Sequence, residues 1–271
     1  MLPIILMYLG VGAIAGLLAG LLGVGGGLIF VPLLLFCFRR AGMPEDWRMH
    51  LALGTSMASI MFTSVSSFWA HHRRGAVYWL VVRRIVLGIL AGTLLGAHVA
   101  SRLRNNVLQA VFAVFVCYVA WQMLLDRKPK PSRELPGRWG MLGVGTVIGL
   151  ISSLVGIGGG TMSVPFMIWC NLPLRRAIGT SAAIGFPIAV FGSVGYVLNG
   201  VRAPRLPPYA LGYVYLPAMA CIVAASVLTA PWGVRLSHRL PVPRLKRAFA
   251  ALLVVVAARM LFAVVLQLLA A

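Results

Sequence analysis

Long apolar stretches alternate with short, arginine-bearing connections from one end of the chain to the other. About 20 consecutive apolar residues cross a bilayer as a helix. The pattern therefore predicts spans at about 49–70, 85–101, 106–125, 177–198 and 211–232, and a last one holding Phe249 and Met260-Leu261. Two stretches do not fit this count. Residues 1–38 and 139–174 carry no charge, and the first would be roughly 55 Å long as one helix, against a hydrocarbon core of about 30 Å.

Each of these two stretches holds a glycine-rich interruption. Gly23-Val24-Gly25-Gly26-Gly27, followed by Pro32, is repeated 133 positions later as Gly156-Ile157-Gly158-Gly159-Gly160, followed by Pro165. Helix interiors disfavour glycine by about 1 kcal/mol and proline by about 3, so neither run continues a helix. Non-helical backbone at membrane depth is tolerated only inside protein or beside a polar cavity. Paired interruptions in two halves point to a transporter's binding site. A broken or re-entrant hairpin is expected at each.

Further blocks recur in the same order. Ala52-Leu53-Gly54-Thr55-Ser56 returns as Ala177-Ile178-Gly179-Thr180-Ser181 at an offset of 125. Arg102-Leu103, Phe112 and Met123-Leu124 return as Arg239-Leu240, Phe249 and Met260-Leu261 at an offset of 137. The chain reads as an internal duplication: 1–126 as a first transmembrane repeat, 127–138 as a basic linker, 139–271 as a second repeat. The fold class is an all-α polytopic membrane protein, each half a broken hairpin plus three transmembrane helices.

Charge bears on how the halves are oriented. If each glycine-rich stretch crosses once, the connections place 11 Lys and Arg on one face and 12 on the other. If each returns to its starting face, the count becomes 16 against 7. Positive charge gathers on the cytoplasmic side, which favours hairpins, inverted repeats and both termini outside. The basic face is then expected to meet anionic lipid.

Composition narrows the function. The 271 residues are 61% hydrophobic and 10% charged, with a net charge of +20. In a soluble chain that charge would suggest nucleic acid; here the bases sit between spans, and nucleic-acid binding is excluded. The four acidic residues, Glu45, Asp46, Asp126 and Glu134, all lie in connections. Cation carriers and carboxylate proton relays need an acid within the membrane, so the substrate is expected to be anionic or neutral. The chain has no HExxH, no GxSxG and no Gly-Lys-Ser/Thr after either glycine block. An enzyme, a cofactor or a metal site is therefore not expected. Ala13-Ile14-Ala15 resembles a cleavage site, but no positive region precedes it, so the segment is read as part of the mature protein.

Other features stay open. Cys37 and Cys170 are repeat mates, read as shared packing or as a paired thiol. Ser56, Ser59, Thr63, Ser66 and Ser67 share a helical face, read as helix packing or as a polar wall. The Gly-Thr-Ser blocks read as N-terminal caps of their own helices or as ligand donors. His71 and His72 lie at a membrane edge, and His50, His98 and His238 show no metal-ligand spacing. Arg259 is the one basic residue well inside a span; intramembrane charge suggests function by default, though such residues also snorkel.

The doubled G-x-G-G-G…P block after Gly16–Gly20 and Gly149–Ser153, the paired Gly-Thr-Ser blocks and the halved layout resemble the sulfite exporter TauE/SafE family of bacterial permeases, over essentially the whole chain. The resemblance implies a multi-pass inner-membrane permease for small anions such as sulfite, sulfoacetate or thiosulfate. An anion channel and a carrier for a non-sulfur organic anion are the alternatives. A helix N-terminus offers unpaired N–H groups and partial positive charge to an oxyanion. The candidate substrate-binding set is therefore Gly23, Gly25, Gly26, Gly27, Gly156, Gly158, Gly159 and Gly160 as a backbone cradle. Thr55, Ser56, Ser153, Thr161, Ser163, Thr180 and Ser181 are candidate hydroxyl donors around it, with Arg259 on the anion's path.

Overall fold

A computed structural model describes residues 2–22, 27–125, 132–237 and 242–269. Ten helices carry these residues: α1 (Leu2–Leu22), α2 (Gly27–Arg40), α3 (Arg48–Arg73), α4 (Trp79–Arg102), α5 (Asn105–Leu125), α6 (Arg138–Val155), α7 (Gly160–Trp169), α8 (Leu174–Gly200), α9 (Leu216–Ser237) and α10 (Val242–Leu269). Six described segments are long and apolar enough to cross a membrane: Glu45–Arg73, Trp79–Arg102, Asn105–Leu125, Arg138–Val155, Leu174–Gly200 and Leu216–Gly233.

The second glycine block breaks the helix as its composition demands. Gly156 takes a left-handed φ of 70°, a conformation that costs a residue with a Cβ. Ile157 N–H then reaches back to the Ser152 carbonyl at 3.0 Å, the bond that closes a glycine-capped helix end. Gly159, at φ 76°, starts α7. The chain then runs back: the Trp169 carbonyl at the end of α7 accepts N–H bonds from Ser132 and Arg133, just before α6, at 3.2 and 3.3 Å. The Arg133 guanidinium lies 4.8 Å over the Trp169 ring. In the first half, Tyr8 near the start of α1 meets Phe38 near the end of α2 edge-on, at 6.2 Å between centroids. α1 with α2, and α6 with α7, therefore pack as hairpins. Gly23, Gly25 and Gly26 lie outside the described residues.

Helix packing crosses between the halves. α4 runs parallel to α6, with Gly88, Gly92 and Gly96 laid in turn against the backbone of Leu142, Thr146 and Leu150. α1 runs parallel to α9, with Gly12 against Ile222 and Gly16 against Ser226. Spacing small residues by four lets helices approach closely in lipid, where burial supplies little driving force. α3 crosses α8 antiparallel, Gly54 meeting Tyr196 and Met57 meeting Gly192. α5 packs on α10. Exchanging α1–α5 for α6–α10 maps this set of pairs onto itself, including α2 on α3 with α7 on α8, and α4 on α8 with α9 on α3.

Three sequence expectations shift. The span expected from 85 begins at Trp79, so Arg83 and Arg84 lie inside α4, where long side chains reach toward the edge. The span expected from 211 begins at Leu216, after a small antiparallel ladder pairing Ala210 with Tyr215 and Leu211 with Val214. Gly212 turns that ladder at φ 56°. Cys37 and Cys170 end α2 and follow α7, one beside Phe38 and the other beside Trp169. Those hairpin ends lie at opposite ends of the bundle, so the two thiols share no site.

Candidate functional site at the hairpin tips

The two hairpin tips touch. Gly27, the first residue of α2, lies so close to the second tip that an added Cβ would stand 2.8 Å from both the Gly156 carbonyl oxygen and the Ile157 Cα. Only glycine fits there. The Gly156 carbonyl also accepts a 2.9 Å hydrogen bond from Ser56 Oγ on α3. Gly158 packs against Ile60 of α3, and its carbonyl lies against Gly185 of α8. Gly156, Gly158 and Gly159 are buried, and Gly160 and Thr161 in the first turn of α7 are half-buried. The first turn of a helix has no intrahelical partner for its N–H groups.

Hydroxyls surround the contact. Ser163 Oγ donates to Ser181 Oγ at 2.8 Å, joining α7 to α8. Ser153 is fully buried, and its Oγ has no hydrogen-bond partner. Its carbonyl accepts from the Tyr196 hydroxyl at 2.9 Å. Ser59 is also fully buried and bonds back to the Thr55 carbonyl at 2.8 Å. Farther along the serine face, Thr63 and Ser66 bond to carbonyls three residues back. On this face the fully buried hydroxyls are thus those of Ser56 and Ser59, in the N-terminal part of α3.

The two threonines do something neither sequence reading foresaw. Thr55 Oγ1 accepts the Tyr215 N–H at 3.0 Å, and Thr180 Oγ1 accepts the Tyr78 N–H at 2.9 Å. Tyr78 and Tyr215 directly precede α4 and α9. Each threonine therefore caps the first turn of a helix from the other half, not of its own helix, whose caps Trp47 and Pro173 make no side-chain bond. The preceding glycines complete the seat: a Cβ on Gly54 would strike the Tyr213 carbonyl, and one on Gly179 the Ala76 carbonyl. Tyr78 and Tyr215, like Ala76 and Tyr213, are repeat mates at the offset of 137.

Residues 8–260 match the family model described as Sulfite exporter TauE/SafE. The chain belongs to that family. A relative named probable membrane transporter protein, from Haemophilus influenzae, is 38% identical over 96% of this chain and 99% of its own. Probable membrane transporter protein YunE of Bacillus subtilis is 29% identical over 73% of this chain and 79% of its own. A further probable membrane transporter protein, from Methanocaldococcus jannaschii, is 24% identical over 89% and 88%. No solved structure matches the chain. Membrane transport is thus the role shared by the TauE/SafE relatives.

Within this TauE/SafE fold the tips bring together Gly27, Ser56, Gly156, Gly158 and Gly159, with Ser153, Ser163 and Ser181 nearby. Arg259 is not among them: it is exposed on α10, which packs on α5. The sequence reading missed Tyr196, fully buried on α8 with its hydroxyl on the tip's supporting carbonyl. A tyrosine in the middle of an apolar span was the available signal, since its hydroxyl needs a partner there. Among the described residues no group of His, Cys, Asp or Glu is arranged to hold a metal ion.

Proposed function

We propose that the protein is a secondary carrier that moves a small anion, a sulfur-containing oxyanion or organosulfonate such as sulfite or sulfoacetate, across the bacterial inner membrane by alternating access. The observation that carries the reading is the contact of the two hairpin tips at Gly27 and Gly156 among buried hydroxyls. Peptide N–H groups and hydroxyls can wrap an oxyanion without a fixed cation. A site of neutral donors also releases its ligand more readily than a buried guanidinium would.

In this reading residues 1–126 and 139–271 are inverted repeats. The opposed directions of α3 and α8, and the exchange symmetry of the helix pairs, support it. One end of the bundle gathers the α3–α4 turn and the starts of α6 and α8, with Arg73, Arg74, Arg133, Arg138, Arg175 and Arg176. That end faces the cytoplasm and its anionic lipid, leaving both termini periplasmic.

Counterflow in proteoliposomes tests the carrier. Vesicles loaded with sulfite, sulfoacetate or thiosulfate should accumulate the labelled anion transiently against its gradient. Flux without exchange would indicate an anion channel instead, and exchange restricted to non-sulfur carboxylates would replace the substrate class.

A further inference from the structure

Away from the tips, at the end of the bundle where α3 starts and α4 ends, a cavity of about 710 Å³ opens. Glu45, Asp46, Trp47 and His50 line it from one side, and residues 101–106 from the other. The second group supplies Arg102 and Arg104, both exposed, and the amides of Asn105 and Asn106 at the N-terminus of the 21-residue α5. Positive charge and a helix N-terminus on one wall favour an anion. Of the opposing acids, Glu45 faces the Arg48 guanidinium at 4.0 Å.

The deepest residue of this cavity is the informative one. His50 is only 1% exposed. Its Nε2–H donates to the Ala100 carbonyl at 3.0 Å. Because a carbonyl can only accept, Nε2 holds the hydrogen, and Nδ1 is left as a bare lone pair. That nitrogen is buried without a hydrogen-bond partner, although the Leu103 carbonyl also lies near the ring. The ring forms a triangle with two aromatic neighbours, Trp47 at 5.4 Å and Tyr213 at 5.0 Å between centroids, which are 5.5 Å from each other. Aromatic faces stabilise a cation held against them. A neutral His50 offers an anion nothing, whereas a protonated one adds an N–H donor and a charge while keeping its bond to Ala100.

We propose that this cavity is an anion-docking site in which Arg102, Arg104 and His50 hold a sulfonate- or oxyanion-class ligand, and that His50 takes up one proton at Nδ1 as the anion binds. The proton comes from water and returns to water when the anion leaves, so the site binds the ligand with one negative charge fewer than the free anion carries. The groups facing His50 are Glu45 and Asp46 from the 3-10 turn, Arg48 on its own helix, Arg102 and Arg104 from the α4–α5 corner, and Tyr213 from the ladder. His50 precedes Thr55 and Ser56 on α3 by five and six residues, a rise of about 8 Å. Resting on the carrier reading, the cavity is the vestibule from which an anion reaches the tips, and its proton makes entry from that side pH-dependent.

The test is calorimetric titration of the purified protein with thiosulfate and sulfoacetate, whose charges stay constant from about pH 5.5 to about pH 8, the range in which imidazole titrates. Running it in two buffers of different ionisation heat counts the protons taken up. The wild type should take up close to one proton per anion as pH rises past the imidazole transition, and affinity should fall by about tenfold per pH unit there. His50→Gln, which can still reach Ala100, should bind more weakly with no proton uptake and a flat pH profile. The double change Arg102→Gln, Arg104→Gln should weaken binding yet keep the proton uptake. Undiminished uptake in His50→Gln, or unchanged affinity without the two arginines, overturns the proposal and leaves the carrier reading standing. Wild-type protein that binds neither anion at any pH overturns both.

Discussion

The two Gly-Thr-Ser blocks have the same sequence and split into a part that seats a helix end and a part that bonds a hairpin. Their glycines and threonines do identical work: Gly54 and Gly179 make room for a carbonyl, and Thr55 and Thr180 take the N–H two residues later. For the serines the described bonds are of two kinds: Ser56 bonds across to the opposite hairpin tip at Gly156, and Ser181 accepts from Ser163 within its own half, while Gly23, the repeat mate of Gly156, lies outside the described residues. The equivalent pair is scaffold, since a seat for a helix end must hold in every state. The serines instead join the hairpin tips to α3 and α8, the contact on which the carrier reading rests.

The comparison can be broken at three levels. The largest effects should come from the glycines. Gly54→Val and Gly179→Val each drive a side chain into backbone that cannot give way, and both should eliminate monodisperse protein on size-exclusion chromatography. A block that tolerated valine in only one half would end the equivalence. Next, Thr55→Val and Thr180→Val each leave a buried N–H without its acceptor, worth about 1–3 kcal/mol. The two variants should lose similar amounts of thermal stability, and Thr→Ser at either position should recover most of it. The smallest stability effect should come from the serines. Ser56→Ala removes one hydrogen bond, worth about 1 kcal/mol, but loosens the contact between tips and should slow sulfite counterflow severalfold. Ser181→Ala should slow it less, because Ser163 can turn its hydroxyl back to a carbonyl on its own helix. Equal transport defects would place both serines with the scaffold.

Much of this architecture is legible in the sequence. The glycine penalty locates the break at Gly156–Gly159, whereas Pro32 and Pro165 are carried inside α2 and α7, and the offsets of 133, 125 and 137 suggest the duplication. Arginine counts favour hairpins over crossings before any coordinates are seen. The seats are not legible, because Thr55 and Thr180 meet partners 160 and 102 residues away. A threonine beside a glycine looks like a local cap, and nothing nearby in the chain says which distant N–H it holds. Arg259 misleads for a related reason: depth along a helix can be read from the sequence, but which side of the helix faces the core cannot when nearly every position is apolar. His50 is illegible for another reason: its spacing to other histidines carries no signal, and its significance lies in what one ring nitrogen lacks.

The glycine-lined pairs α4 with α6 and α1 with α9 have a mechanical consequence. Each couples one helix from the first half to one from the second along most of its length. The boundary between the two halves is therefore not a hinge. Cutting the chain in the connection at 126–138 would leave two fragments that have to find each other before either acquires its shape, and a motion that kept these pairs packed would carry a helix of each half in every moving body.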